Sequence, residues 1–416
     1  MIQTKQMNRE FTYFQLFRKS RHFTALLFGQ IFSLLGSSIT NVILPIVVLQ
    51  ESHSTAMMGT VMAVYMTPFV VLLPFSGVLV DKMNKVKIMF FVDIVRFMFM
   101  VILAVIAFIG QLNMTSLFII MFGMGMMDSF FQPAYSAVRA KVFTEDIRNA
   151  ANSLTQVSMQ ALRISGPIIG GLIVSSLSAG WGFGIDALTY IISLLFLFNL
   201  RTLPFQKTKE IPSEKNSIKQ DFLEGIVVLK EQSWLWITIL AFSLINIFSG
   251  GIMRVLIPWL VNIYYVFEPV VFGLVLSAGG AGAIVCGIIF GLKKEWKKRG
   301  LLAYGGVAVS GVALLIMPFI SDVPILMLCM FIEGAGIMLF GLIWETSLQE
   351  LVPEDKFGRV ASLDMLGSFA LLPVGYLITG WLAEGIGEIT TFILFSCIII
   401  FISVLVMLNK GIRGFD

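Results

Sequence analysis

The sequence predicts an all-α membrane protein in which twelve transmembrane helices form two pseudo-symmetric six-helix domains. Three observations carry that expectation. Hydrophobic residues make up 57% of the 416 positions, charged residues 13%, and the mean hydropathy is +0.90. A chain of that composition cannot hide its apolar surface from water, so a bilayer must cover much of it. Apolar runs of roughly the 20 residues that a helix needs to cross hydrocarbon then recur near 24–49, 57–80, 88–110, 115–138, 150–176, 181–200, 234–264, 270–292, 300–320, 323–348, 357–384 and 388–409. Finally, an offset of 209 residues places Glu145-Asp146 on Glu354-Asp355, Ser153-Leu154 on Ser362-Leu363, Gly125 on Gly334, Gly166 on Gly375 and Gly171 on Gly380. Asn41-Val-Ile-Leu-Pro45 matches Arg254-Val-Leu-Ile-Pro258 at offset 213, a difference that loops of unequal length produce. The chain therefore reads as a duplicated six-helix unit. Barrel strands are disfavoured because the runs lack two-residue alternation.

Along the chain, Met1 to Arg21 is polar and basic with Phe11, Phe14 and Phe17 at helical spacing, as expected of a segment lying on the membrane surface. The apolar run after it is too long for a cleavable signal and no small-residue cleavage site ends it. Apart from Arg96, Arg163 and Arg254, the Lys and Arg residues fall on the N-terminus, the even-to-odd connections and the C-terminus. The opposite loops, around Glu51, Asn113, Ser178, Glu268, Asp322 and Gly385, carry none. By the positive-inside rule both termini face the cytoplasm, which places a multi-pass protein in a bacterial-type inner membrane. The net charge of +4 is on this view a topology signal and not a nucleic-acid footprint. Domain boundaries are expected at 1–200 and 234–416, joined by a hydrophilic cytosolic linker over 201–233 that contains Pro204, Pro212 and an amphipathic run from Ile218 to Leu229. Cys286, Cys329 and Cys397 lie within spans, where packing explains them better than disulfides.

Two short patterns carry a family resemblance. Gly77-Val-Leu-Val-Asp81-Lys82-Met-Asn-Lys85-Val-Lys87 resembles the G-x-x-x-D-[RK]-x-x-[RK]-[RK] loop of the major facilitator superfamily. Gly166-Pro167-Ile-Ile-Gly170-Gly171 resembles that superfamily's antiporter motif, associated with drug:proton exporters. Phe131-Gln-Pro133-Ala134 and the return after Glu145-Asp146 look most like the macrolide-efflux and siderophore-exporter branch. The resemblance implies the major facilitator fold and gating roles for Gly77, Asp81, Lys82, Lys85, Gly166, Pro167, Gly170 and Gly171. On physical grounds, an acid and several cations at a turn can form interhelix charge pairs, and the resemblance implies a latch of Asp81 against the start of span eleven near Gly358 and Arg359. A plain positive-inside loop would explain the lysines but not Asp81. Gly166 and Gly170 share a helical face and Pro167 stiffens a bend, so span five can close tightly on a neighbour, either in ordinary packing or at a domain seam.

Charges at membrane depth point to chemistry, because each costs a few kcal/mol there unless paired or wet. Asp128 sits near the middle of span four, on one face with Met121, Met124, Gln132 and Tyr135. Arg163 is mid-span in helix five. These two are the expected proton-coupling residues, Asp128 as carrier and Arg163 as the group that controls it; a permanent structural ion pair between them is the alternative. Gln30, Ser37, Asn41, Met124, Gln132, Tyr135, Asn246, Arg254 and Glu333 form polar stripes that cannot comfortably face lipid and are expected to bind substrate in a shared cavity. Asp93 and Arg96, three residues apart, read as a local structural pair. Asp186 and Trp181 read as an anchor or rim, and Asp364, Glu345 and Glu350 as part of a gate's charge network.

No nucleotide-binding G-x-x-x-x-G-K-[ST] loop, metal-ligand cluster or activated nucleophile occurs in the sequence, so no catalytic residue, metal or cofactor is expected and an ion gradient is the expected energy source. The predicted function is proton-antiport efflux of lipophilic or amphipathic organic compounds, of multidrug or macrolide type, by alternating access. A dedicated siderophore or metallophore exporter is the alternative within transport; an uncoupled receptor or lipid scramblase is the alternative outside it. The expected partners are a small organic substrate, protons and membrane lipids, with no nucleic acid, and the chain acts as a monomer.

Overall fold

The computed structural model describes residues 16–17, 20–203, 233–292 and 296–413. Among them, twelve helices are long and apolar enough to cross a membrane, and no strand occurs. The first half holds α1 (Arg21–Ser52), α2 (Thr55–Lys82), α3 (Lys85–Phe108), α4 (Met114–Val142), α5 (Arg148–Ser176) and α6 (Ala179–Phe198). The second holds α7 (Ser233–Tyr264), α8 (Pro269–Gly291), α9 (Arg299–Phe319), α10 (Val323–Leu351), α11 (Glu354–Phe369 continued by Leu372–Ile386) and α12 (Glu388–Leu408). The expected surface segment before α1 and the amphipathic run of the linker lie almost wholly outside the described residues. Of the former, Leu16 is fully buried and Phe17 packs on Phe23 and Phe28 of α1.

Local chemistry sets the helix limits. Ser20, Ser54, Asn84, Asn113 and Asp322 each accept, through the side chain, the backbone N–H three residues on, which satisfies a donor the helix start leaves open. α1 ends where His53 turns left-handed (φ 51°), and Val266, 213 residues on, does the same after α7 (φ 55°). α11 breaks before Pro373, whose ring removes a backbone donor and disfavours helix in the residue ahead of it. α7 is π-helical over Ile252–Leu256 and Leu260–Tyr264, on either side of the turn that contains Pro258.

The repeat read from the sequence is visible in the packing. α1 packs on α5 and α6, α2 on α4, and α3 on α4 and α6; the same pairs recur as α7 with α11 and α12, α8 with α10, and α9 with α10 and α12. Gly125 of α4 lies so close to the Tyr65 carbonyl of α2 that no Cβ would fit, and its echo Gly334 of α10 lies as close to the Gly279 carbonyl of α8. Lipid is as apolar as the side chains, so such backbone approach, and not a hydrophobic drive, holds membrane helices together.

The halves meet along two seams, α5 against α8 and α2 against α11. A Cβ on Gly273 would overlap the Pro167 carbonyl, and one on Gly59 would overlap the carbonyl of Tyr376, the residue 209 positions after Pro167. A Cβ on Gly171 would come within 2.8 Å of Pro269 and Val270, and Gly380 faces Thr55 and Ala56 in the same way. Ser54 donates to Glu384 at 2.6 Å, the Val270 amide to Ser175 at 3.0 Å, and Ser277 to the Ile164 carbonyl at 2.6 Å. These contacts run from mid-span to the end away from the termini and seal that end. Toward the terminus-bearing end, nothing lies within 4 Å of where a Cβ on Gly77 of α2 would sit.

Candidate substrate and coupling site

Three adjoining cavities of about 350, 360 and 570 Å³ occupy the space between the halves, and Arg254 of α7 lines all of them. The first is walled mainly by α1, α2, α4 and α6 and includes Ser37, Asn41, Met124, Asp128 and Gln132 of the expected residues, together with Tyr65, Asp186 and Tyr190. The second holds Asn41, Arg163, Pro167 and Glu333, and the third Asn246 and Asp364. Gln30 and Tyr135 line none of them. The Gln30 amide oxygen is buried without a hydrogen-bond partner, and the Tyr135 ring stacks on Phe131.

The wall of the first cavity is built around one cation. Arg96 of α3 forms an ion pair with Asp128 of α4 and contacts Asp93, one turn back on its own helix, at 3.4 Å. Its guanidinium stands 4.3 Å from the centre of the Phe131 ring, a cation–π contact in a desolvated setting. Asp93, fully buried, accepts from Ser193 of α6 at 2.7 Å, and Asp128 accepts from the Tyr65 hydroxyl of α2 at 2.5 Å. α2, α3, α4 and α6 are thus tied by one charged chain, of which only Asp128 and Tyr65 face the cavity. Beside it, Asp186 is buried over Gly36, where a Cβ would collide with its carboxylate, and accepts from Thr40 at 2.5 Å and from Thr189 at 3.4 Å.

This corrects three expectations. The partner of Asp128 is Arg96, not Arg163, which stands in the second cavity with its backbone carbonyl against Gly280 of α8. Asp93 and Arg96 are more than a local pair, because Arg96 reaches across to α4. Asp186 is no rim residue, since it is 1% exposed and lines the cavity. A signal for Arg96 was present: it lies about three turns into α3 and Asp128 about four turns from the same end of α4, close to equal depth.

The motif residues divide by position. Gly166 packs on Ser38 and Gly170 on Ile39 and Val42, all of α1 and within the first half, whereas Gly171 and the Pro167 carbonyl meet α8 at the seam. A Cβ on Gly77 would meet nothing within 4 Å in this state, in contrast to the close helix approach expected of it. Lys85 Nζ donates to the Asp81 backbone carbonyl at 2.8 Å, closing the end of α2, while Asp81 and Lys82 are exposed. Of Gly358 and Arg359 only the helical backbone is described, so the expected latch partner lies outside the described side chains. Glu350 pairs with Arg299 at 2.6 Å, inside the second half.

Across the cavity, Arg254 Nη1 donates to Asn41 Oδ1 at 3.1 Å. These residues occupy matching places in the two repeats, so the bond sits where the pseudo-twofold axis passes between α1 and α7.

Comparison with known proteins agrees with this architecture. The chain is 26% identical over 403 residues to the uncharacterised MFS-type transporter YfiS of Bacillus subtilis (strain 168), covering 95% of both chains. It is 23% identical over 394 residues to macrolide efflux protein A of Streptococcus pyogenes, covering 93% of this chain and 96% of the relative. The fold of the nucleoside transporter NupG superposes with a TM-score of 0.76 at 12% identity, over 93% of this chain and 99% of that one. The family model of the Major Facilitator Superfamily matches residues 26–370, and with the twelve helices, their repeat and the twin seams it establishes that the chain belongs to the Major Facilitator Superfamily.

Proposed function

We propose that the chain exports lipophilic or amphipathic organic compounds in exchange for protons, by alternating access between its two halves. The observation that carries the coupling is the sharing of Arg96 between Asp93 and Asp128, with only Asp128 open to the cavity. Two carboxylates and one guanidinium carry a net negative charge in a low-dielectric wall. A proton delivered from the cavity to Asp128 neutralises that excess and leaves Arg96 to Asp93 alone. Asp128 then no longer anchors α4 to α3, so the helix that lines the cavity is free to shift. Asp128 is the carrier in this reading, and Arg96 takes the role expected of Arg163.

The positive-inside pattern puts the terminus-bearing end in the cytoplasm, which makes this conformation inward-facing with its outer end sealed. Aromatic and Met side chains of the first cavity, among them Met62, Met66, Phe69 and Met121, offer the adaptable apolar surface that a lipophilic solute needs. The similarity to macrolide efflux protein A supports efflux over uptake. Inverted membrane vesicles preloaded with a lipophilic dye test the reading. Imposing a pH gradient should change dye accumulation in vesicles that contain the protein and not in those without it, and accumulation indifferent to the gradient would refute proton coupling.

A further inference from the structure

The second cavity, lined by Arg163, Arg254 and Glu333, carries the opposite net charge from the first, lined by Asp128, Asp186 and Arg254. Arg254 and Arg163 share the cavity of about 360 Å³, and the hydrogen-bond partner of Arg254 is neutral Asn41, with the Tyr376 phenol beside it. Among the described residues no carboxylate lies within ion-pair distance of either guanidinium. Glu333, 7% exposed, lines the same wall and pairs with neither. Arginine does not shed its proton, and a guanidinium at membrane depth costs a few kcal/mol unless water or a counter-charge reaches it. Arg254 also stands on a π-helical turn of α7, and such turns concentrate at functional sites. Apart from Ser38, the remaining wall is apolar, with Phe272, Leu276 and Met330.

We propose that Arg254, assisted by Arg163, forms an oxyanion subsite, and that the solute carried is an amphipathic carboxylate. Its apolar body lies on Phe272, Leu276 and Met330, and its carboxylate takes the planar fork of Arg254, a geometry that guanidinium pairs in two parallel bonds. This rests on the transport reading, since it takes the cavity between the halves as the solute's path. It names a substrate chemistry that the proton network of the first half does not determine.

The test uses the full chain in phosphatidylcholine nanodiscs and three probes with one apolar body: pyrenebutyrate, pyrenebutanol and pyrenebutyl-trimethylammonium, followed by fluorescence anisotropy. Pyrenebutyrate should bind about tenfold or more tightly than the alcohol, as a charge-assisted pair allows. Arg254→Gln should bring it to the alcohol's affinity and leave the alcohol's own affinity unchanged; Arg163→Gln should remove part of the preference. Arg163 is exposed to the cavity, so its variant keeps the test decisive if Arg254→Gln does not fold. Equal binding of the three probes, tighter binding of the ammonium, or an undiminished preference in a folded arginine variant would overturn the proposal. Discs containing phosphatidylglycerol separate the two sources of an oxyanion: loss of the preference there would assign the subsite to a lipid headgroup and overturn the solute assignment, and an unchanged preference supports it. No gradient is imposed, so failed proton coupling and a failed oxyanion subsite give different results.

Discussion

Arg96 holds two acids at once, and that sharing decides what each substitution does. Asp128→Asn leaves Arg96 with Asp93, removes the titrating carboxylate and its charge, and keeps one of the two acceptor oxygens that Arg96 and Tyr65 use. The variant should fold, bind dye as the native chain does, and lose the response of transport to a pH gradient; gradient-driven transport by folded Asp128→Asn would exclude Asp128 as the carrier. Arg96→Gln strands two carboxylates instead, and breaking a buried pair costs about 3–5 kcal/mol. Its thermal midpoint in detergent should fall well below that of Asp128→Asn, and equal midpoints would show that Arg96 does not organise the wall. The sequence singled out Asp128 because a mid-span carboxyl is rare and expensive. It could not single out the partner. Arg96 and Arg163 both lie within about three to four turns of the terminus-bearing ends of their helices. Depth follows from counting residues, but which way a helix is rotated toward its neighbour depends on packing that one sequence does not display. Asp186 was misplaced for a similar reason: Gly36 lets α6 approach α1 closely enough to draw the carboxylate inside.

Among the helices, the proposed movement turns on the seams. Gly59 and Gly273 are matching positions at which a side chain would strike a carbonyl across the interface. Gly59→Val should wedge α2 from α11 and destabilise the conformation sealed at the end away from the termini, raising the accessibility of a cysteine placed at Ala56. Gly77→Ala is its control, because nothing stands within 4 Å of the added carbon; it should not destabilise, and any gain should stay within the roughly 1 kcal/mol that alanine has over glycine in a helix. Equal effects from the two substitutions would mean that close approach at Gly59 does not hold the seam. The 209-residue repeat made Gly125 and Gly334, Gly166 and Gly375, and Gly171 and Gly380 legible as pairs, but not Gly59 and Gly273, which lie 214 apart; twelve spans and their order followed from apolar run length. Their division of labour did not. Gly170 and Gly171 are neighbours in sequence but about 100° apart around the helix, so one packs on α1 and the other on α8.

For the whole molecule, the proposed alternating access makes the twin seams related by the repeat a hinge, in which closing one end opens the other if each half moves as a packed six-helix body. Asn41 and Arg254, joined across the pseudo-twofold axis at 3.1 Å, mark its centre. The loops left the axis legible in the sequence through the matched Asn41 and Arg254 segments, whereas which end stands closed depends on contacts that form only in the folded state. Spin-label distances test the central claim most directly, with one pair at Glu51 and Tyr264 near the sealed end and another at Met83 and Lys297 near the terminus-bearing end, all four sites exposed. On lowering the pH in nanodiscs, the two distances should change in opposite senses, and Asp128→Asn should abolish the dependence. Distances that change in parallel, or that respond to pH as strongly in Asp128→Asn, would contradict proton-driven rocking about the twin seams.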